Sequence, residues 1–248
     1  MLSYRVIARL DVKFPNLIKG IQFEGLRVIG QPADFARKYA SEGADELLYI
    51  DTVASLYGRN QLESLIEETS GAAFIPLTVG GGVKTLSEAS HLLKSGADRI
   101  CVNTGAIRNP RLIEEISGCV GAQAITVSIE AKRVNAGWEA YTDCGRNPTG
   151  RDAVSWAQEA VALGAGEILI TSIDRDGTRK GPDIELLKSI NVDVPVVYSG
   201  GIRLCDVAEV AKHSQGMAIG ASLHYGNTTI AEVKAALSHA GIVVRHTQ

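Results

Sequence analysis

Strand-like and helix-like segments alternate from one end of this chain to the other, and that alternation restricts the fold more than any other feature. Eight short apolar, β-branched runs recur: YRVIARL (4–10), LLYID (47–51), FIPLTVG (74–80), RICVN (99–103), AITVSI (124–129), EILITSI (167–173), VPVVYS (194–199) and MAIGA (217–221). Between them lie amphipathic stretches such as ADFARKYASEG (33–43), LSEASHLLKSG (86–96) and DAVSWAQEAVALG (152–164), each closed by a glycine that suits a helix stop. Strands alternating with helices form a parallel sheet, and eight of them close into a (β/α)8 TIM barrel. Such a barrel takes roughly 250 residues. A chain of 248 residues without a Pro/Ser-rich linker is therefore expected to be one barrel domain over 1–248.

The chain also repeats itself at half its length. EGADELLYID (42–51) is similar to LGAGEILITSID (163–174), FIPLTVGGGVKT (74–85) to DVPVVYSGGIRL (193–204), and RVIARLDVK (5–13) to AITVSIEAKR (124–133). The offset of about 120 residues equals four βα units and predicts half-barrels of about 1–119 and 120–248. It pairs Asp11 with Glu130 across a pseudo-twofold axis, both at C-terminal strand ends, where barrel chemistry is done.

Two glycine-rich strand ends belong to the same repeat: Gly80-Gly81-Gly82 and Ser199-Gly200-Gly201. Glycine lets a backbone approach an anion closely, and adjacent amides donate to it. Small residues follow at the next strand ends, Asn103-Thr104-Gly105 and Ala221-Ser222. In a barrel these two sets face each other across the mouth, so they predict a ligand with a phosphate at each end. Ordinary tight turns are the alternative, and the duplication favours the cradles. Asp11 and Glu130 between them can move protons at a bound ligand, or pair with Lys13 or Lys132. Asp51 and Asp176, followed by Gly177, end the second and sixth strands and are candidate anchors for ligand hydroxyls. At the opposite end, Arg5, Glu46, Arg99 and Glu167 begin strands 1, 2, 4 and 6. They form either a closed ion-pair ring on the barrel floor or ordinary solvent-facing charges.

Composition removes several classes. A net charge of −3 and a pI near 6.0 give no footprint for nucleic acid or an anionic membrane. No apolar run approaches the roughly 18 residues of a membrane span, and MLSYRVIARLDVK is not expected to act as a signal peptide. Cys101, Cys119, Cys144 and Cys205 form no CxxC pair, which suits a reduced, cytoplasmic protein. His91, His213, His224, His239 and His246 show no metal-ligand spacing, so no metal and no cofactor are expected.

Taken together, the chain resembles the cyclase subunits of imidazole glycerol phosphate synthase, from about residue 4 to residue 245. The stretches that carry the resemblance are LDVK (10–13), KGIQFEGLR (19–27), EGADELLYID (42–51), PLTVGGGVKT (76–85), SGADRICVNTGA (95–106), EAKRVNAGWEAYTDCGRNPTG (130–150), GAGEILITSIDRDGT (164–178) and HYGNTTI (224–230). The resemblance implies an ammonia-dependent reaction in histidine biosynthesis. A bisphosphorylated ribulosyl-formimino-aminoimidazole carboxamide ribonucleotide is cleaved and cyclised to imidazole glycerol phosphate and aminoimidazole carboxamide ribonucleotide. It implies Asp11 as general acid/base and Lys19 in a mobile first loop. It also implies that the four floor charges gate ammonia from a separate glutaminase subunit, with Asp98 coupling the two in a heterodimer.

The departures from that family lie inside the barrel. The second catalytic aspartate is Glu130, and the family's PCLDV is Ala8-Arg9-Leu10-Asp11-Val12. Period-two alternation puts Arg5, Ile7, Arg9 and Asp11 on one inward face. A buried Arg9 then demands a carboxylate, Asp11 or Glu130, and lowers the pKa of that acid. Thr126 and Ser128 are more polar than the family norm, and Phe14-Pro15-Asn16 replaces a DGR-like turn. Two further readings follow from these changes: a diverged paralogue that delivers ammonia to another substrate, as in cell-surface sugar amidation, or a non-catalytic scaffold that activates a glutaminase.

Overall fold

The computed structural model describes residues 3–54, 62–70, 74–135 and 137–245; His246 lies outside them. In chain order the strands are β1 (Arg5–Lys13), β2 (Asn16–Ile21), β3 (Glu24–Gly30), β4 (Glu46–Asp51), β5 (Leu77–Gly80), β6 (Arg99–Val102), β7 (Ile125–Val134), β8 (Gly137–Thr142), β9 (Asn147–Asp152), β10 (Glu167–Ser172), β11 (Val196–Ser199) and β12 (Gly216–Ile219). The eight apolar runs supply β1, β4, β5, β6, β7, β10, β11 and β12. Each of these pairs in parallel with the next, and β12 returns to β1, so the sheet closes into a (β/α)8 barrel. Closure leaves no barrel strand with an unpaired edge.

Helices α1 (Pro32–Ser41), α2 (Leu62–Ser70), α3 (Leu86–Lys94), α4 (Thr104–Arg108), α5 (Arg111–Val120), α6 (Ala153–Ala162), α7 (Ile184–Ser189), α8 (Val207–Ala211), α9 (Ala221–His224) and α10 (Ile230–His239) accompany the strands. Local chemistry starts several of them. Thr85 and Glu88 make a reciprocal capping box at α3, Thr229 and Glu232 do so at α10, and Asp152 caps α6 through the Ser155 amide. None of the described helices is long and apolar enough to cross a membrane.

Alternation on β1 explains how barrel and helices share the chain. Val6, Ala8, Leu10 and Val12 face outward into the main core, together with residues such as Leu92, Ile116 and Trp156. Ile7 faces inward and meets Leu48, Cys101, Leu169, Val197 and Ala218 in an apolar layer that fills the barrel waist. Thr78 and Ser128 stand at the same level, opposite Leu48 and Leu169 in the strand registers, and the buried charges of the lumen lie above and below this layer.

Two antiparallel hairpins extend the barrel strands and were not legible as strands. β2 and β3 follow β1, and β8 and β9 follow β7, at equivalent places in the two halves. The first hairpin turns through Gln22 (φ +52°) and Phe23 (φ +63°). A two-residue turn of this hand normally uses Asn-Gly, so the QF pair gives no turn signal. Tertiary contacts hold it instead: Gln22 donates its amide to the Asp176 carbonyl at 2.9 Å, and Phe23 is buried against Cys144 and Ile173.

One buried ion pair ties the last helix to the start of the barrel. Lys234 of α10 meets Asp45 at 2.7 Å and donates to the Arg245 carbonyl at 2.9 Å. Asp45 also accepts the Val6 amide at 2.8 Å. Removing one member leaves a buried charge uncompensated, so Lys234→Met is expected to cost about 3–5 kcal/mol in urea unfolding. A loss below about 1 kcal/mol would show that the pair contributes little.

Candidate active site

The two glycine pairs adopt nearly the same backbone. Gly81 and Gly82 have φ of +116° and +73°; Gly200 and Gly201 have +114° and +71°. Side chains are excluded by close approach as well. A Cβ on Gly81 would stand 2.5 Å from the Asp51 carbonyl oxygen, and one on Gly200 would stand 2.8 Å from that of Ser172. The neighbouring strand ends repeat too: Asn103 (φ −133°, ψ −85°) leads into α4, and Gly220 (φ −113°, ψ −82°) leads into α9. The first amides of such helices have no acceptor within the helix and point outward.

Each set lines its own cavity at the barrel mouth. The first is bounded by Asp51, Gly81, Gly82, Asn103, Thr104 and, at its inner end, Glu130. The second is bounded by Asp176, Gly177, Ser199, Gly201, Ala221 and Ser222, with Gly200 also in its wall. Some side chains within them are already engaged. Asp51 Oδ1 accepts the Val53 and Ala54 amides at 2.9 and 3.0 Å, and burial pushes its carboxyl up. Thr104 Oγ1 accepts the Asp143 amide at 2.9 Å, and Ser222 Oγ donates to the Ile202 carbonyl at 2.6 Å. Asn103 Oδ1 is buried in the cavity wall without a partner, the kind of orphaned atom a ligand satisfies.

Between the cavities stands a buried cluster of four charges. Asp11 Oδ1 accepts Arg9 Nε at 2.8 Å, and its Oδ2 accepts Lys19 Nζ at 2.8 Å. Lys19 also donates to both Asp176 oxygens, at 3.0 and 2.9 Å. Arg9 Nη1 reaches Thr171 and Ser199 at 3.0 and 3.3 Å. Of the two partners expected for Arg9, Asp11 is the one it bonds; neither Lys13 nor Lys132 pairs with these carboxylates. Lys19 does not stand in an open loop: it lies on β2, 2% exposed. The two cations hold the Asp11 carboxyl well below the usual range, against the opposing effect of burial.

Glu130 has different surroundings. Its Oε2 accepts the Gly145 amide at 2.8 Å. That amide is presented by three successive left-handed residues, Asp143, Cys144 and Gly145 (φ +54°, +59° and +73°). No cation is bonded to Glu130 among the described residues, and burial pushes its carboxyl up to about 7.

At the other end of the lumen, the four floor charges close into a ring. Arg5 bonds Glu46 at 3.0 Å and Glu167 at 2.5 Å; Arg99 stands 3.4 and 3.6 Å from the same two acids. Thr126 donates to Glu167 at 3.1 Å. Asp98 sits beside the ring, exposed, with Oδ2 accepting the Leu77 amide at 2.8 Å. Among the described residues no histidine is hydrogen-bonded to a side chain of these groups. His224 is held by the Tyr39 hydroxyl at 2.7 Å, and burial pushes its pKa down to about 4. Among the described residues no His, Cys, Asp or Glu group is placed to hold a metal ion. Sequence reasoning missed Phe23 and Gly145; their roles come from contacts over long sequence separations that no local pattern carries.

Fold and mouth together define a half-duplicated (β/α)8 barrel whose chemistry-bearing side chains gather at the C-terminal strand ends. A family model described as "Histidine biosynthesis protein" matches residues 5–229. Similar proteins carry the name imidazole glycerol phosphate synthase subunit HisF. That of Legionella pneumophila is 54% identical over 205 residues, 82% of this chain and 97% of that protein. Those of Myxococcus xanthus and Pyrococcus furiosus are each 44% identical, over 250 and 249 residues, and cover 99% of both chains. This chain belongs to the HisF family of histidine biosynthesis proteins.

The raised Glu130 carboxyl has a consequence for stability. An acid whose pKa is 4.5 when unfolded and about 7 when folded binds more protons in the folded state between those values. Its ionisation therefore destabilises the fold as pH rises from about 4.5 through 7, and the whole penalty is present above 7. Glu130→Gln is expected to gain about 1–3 kcal/mol relative to wild type in urea unfolding at pH 8.5, and much less at pH 5. An equal difference at both pH values would contradict this.

Proposed function

We propose that this protein is the ammonia-dependent cyclase of histidine biosynthesis, converting the bisphosphorylated ribulosyl-formimino ribonucleotide to imidazole glycerol phosphate and aminoimidazole carboxamide ribonucleotide. The observation that carries this reading is the near-identical pair of glycine cradles on either side of Asp11 and Glu130. A substrate with a phosphate at each end occupies both cradles and lays its reacting centre between the two carboxylates. Gly81, Gly82, Asn103 and Thr104 hold one phosphate; Gly177, Ser199, Gly200, Gly201, Ala221 and Ser222 hold the other. Asp51 and Asp176 anchor ligand hydroxyls. The Arg9–Asp11–Lys19–Asp176 cluster divides the mouth, so a bridging ligand requires the first hairpin to lift and Lys19 to leave Asp176.

Ammonia comes from a separate glutaminase subunit docked on the floor to form a heterodimer. It enters through the ring of Arg5, Glu46, Arg99 and Glu167 and passes the apolar waist, which admits the neutral amine and resists its cation. Asp98, exposed beside the ring, couples the two subunits. The chain works as one domain of two half-barrels, 1–119 and 120–248, in the cytoplasm, where its four cysteines stay free.

One observation favours a second reading. Both Asp11 oxygens are bonded to cations, which suits a paralogue that passes ammonia to a different substrate. Turnover of the bisphosphorylated substrate with ammonium salt, at a pH near 8.5 where more ammonia is free, separates the two. The cyclase reading predicts on the order of 1 turnover per second; tight binding without turnover would favour the paralogue. With a glutaminase present, Asp98→Ala is expected to lose glutamine-driven activity while keeping the ammonium-fed rate. Equal loss of both would contradict the coupling role.

A further inference from the structure

Asp11 and Glu130 hold equivalent positions in the two halves, yet their surroundings differ in kind. Arg9 and Lys19 take up both oxygens of Asp11, and Asp11 lines neither cavity. Arg9 is itself immobilised by Thr171 and Ser199 and lies 5.6 Å from the centre of the Phe23 ring. Glu130 gives one oxygen to the Gly145 amide, and its side chain lines the cavity that runs outward to Gly81, Gly82, Asn103 and Thr104.

The charged and titratable groups around Glu130 come from every neighbouring element. β1 contributes Arg9 and Asp11, the loop after β10 contributes Asp176, β6 contributes Cys101, β8 contributes Tyr141, opposite Glu130 in the register, and the turn between β8 and β9 contributes Cys144. Arg9 is the one cation among these, and its hydrogen bonds go to Asp11, Thr171 and Ser199 rather than to Glu130. A guanidinium does not release its proton in a protein, so an acid bonded to it stays an anion across the working range of an enzyme. An acid without such a partner, at the inner end of a cavity, can give and take a proton.

We propose that Arg9 is a positioning residue which, with Lys19, keeps Asp11 a permanent anion, and that Glu130 alone exchanges protons with a ligand in the adjoining cavity. This rests on the cyclase reading only for the identity of that ligand. The division of labour is set by which carboxylate is bonded to cations and which faces the cavity. Asp11 then has two tasks: to hold Lys19, and to place a fixed negative charge beside the reacting centre.

The test begins without substrate. The protein is labelled with 13C at the Asp and Glu carboxyl carbons, and signals are assigned with Asp11→Asn and Glu130→Gln. Glu130 should titrate near pH 7, whereas Asp11 should not titrate between about pH 5 and 9. Arg9→Met should move both midpoints upward, and Arg9→Lys should restore them in part. In ammonium-fed turnover at a constant concentration of free ammonia, the wild-type rate should show a midpoint near 7. Asp11→Asn should keep that midpoint at a lower kcat, whereas Glu130→Gln should lose it, with kcat down about a hundredfold and KM within a few-fold. Titration of Asp11 near neutrality, a Glu130 midpoint below about 5.5, or a midpoint surviving in Glu130→Gln overturns the proposal. Failure of the wild type to turn over this substrate refutes the cyclase reading, while the carboxyl titrations still decide the proposal.

Discussion

The mouth of this barrel depends on a buried group of two cations and two anions, Arg9, Asp11, Lys19 and Asp176, each at most 4% exposed. Burying any one of them alone would cost several kcal/mol. Together they are neutral and bonded to one another, and Thr171 and Ser199 take further donors of Arg9. The cluster joins β1, the first hairpin and the loop after β10. It thereby fixes where the hairpin lies, where Phe23 packs, and where the mouth is divided into two cavities. Gly177 belongs to the same arrangement, since a Cβ there would stand 2.3 Å from the Gly20 carbonyl oxygen.

Symmetry and its breaking do different work here. The outer parts of the mouth obey the repeat closely, down to a few degrees in the glycine backbones, which suits the proposed holding of one phosphate by each cradle. The centre departs from it. Arg9 on β1 aligns with Ser128 on β7 in the repeat, and Asp11 with Glu130. One half therefore presents a carboxylate bonded to cations, and the other a carboxyl bonded to a backbone amide. That difference converts two like acids into a fixed charge and a titrating group.

Much of the fold was legible because its signals are local. Eight apolar runs mark eight barrel strands, and paired glycines mark two close backbone approaches. The alternation Arg5, Ile7, Arg9, Asp11 placed four side chains in the lumen before any contact was known. The floor ring was undecided from sequence, since a charge at a strand start reads the same whether it meets its counterpart or water; barrel closure brings Arg5 within bonding distance of Glu46 and Glu167. The hairpins were not legible, because Gln22, Phe23, Asp143 and Cys144 take left-handed conformations that only distant contacts stabilise. The grip of Gly145 on Glu130 likewise depends on how a turn folds back, which no spacing encodes.

The most direct test of this account is the crystal structure of the protein with a bisphosphorylated ligand. It predicts one ligand spanning the mouth, with one phosphate against Gly81, Gly82, Asn103 and Thr104 and the other against Gly177, Gly200, Gly201, Ala221 and Ser222. Lys19 would be withdrawn from Asp176, and the ligand's centre would lie beside Glu130. A ligand confined to one cradle, with the first hairpin still in place over the other, would contradict it.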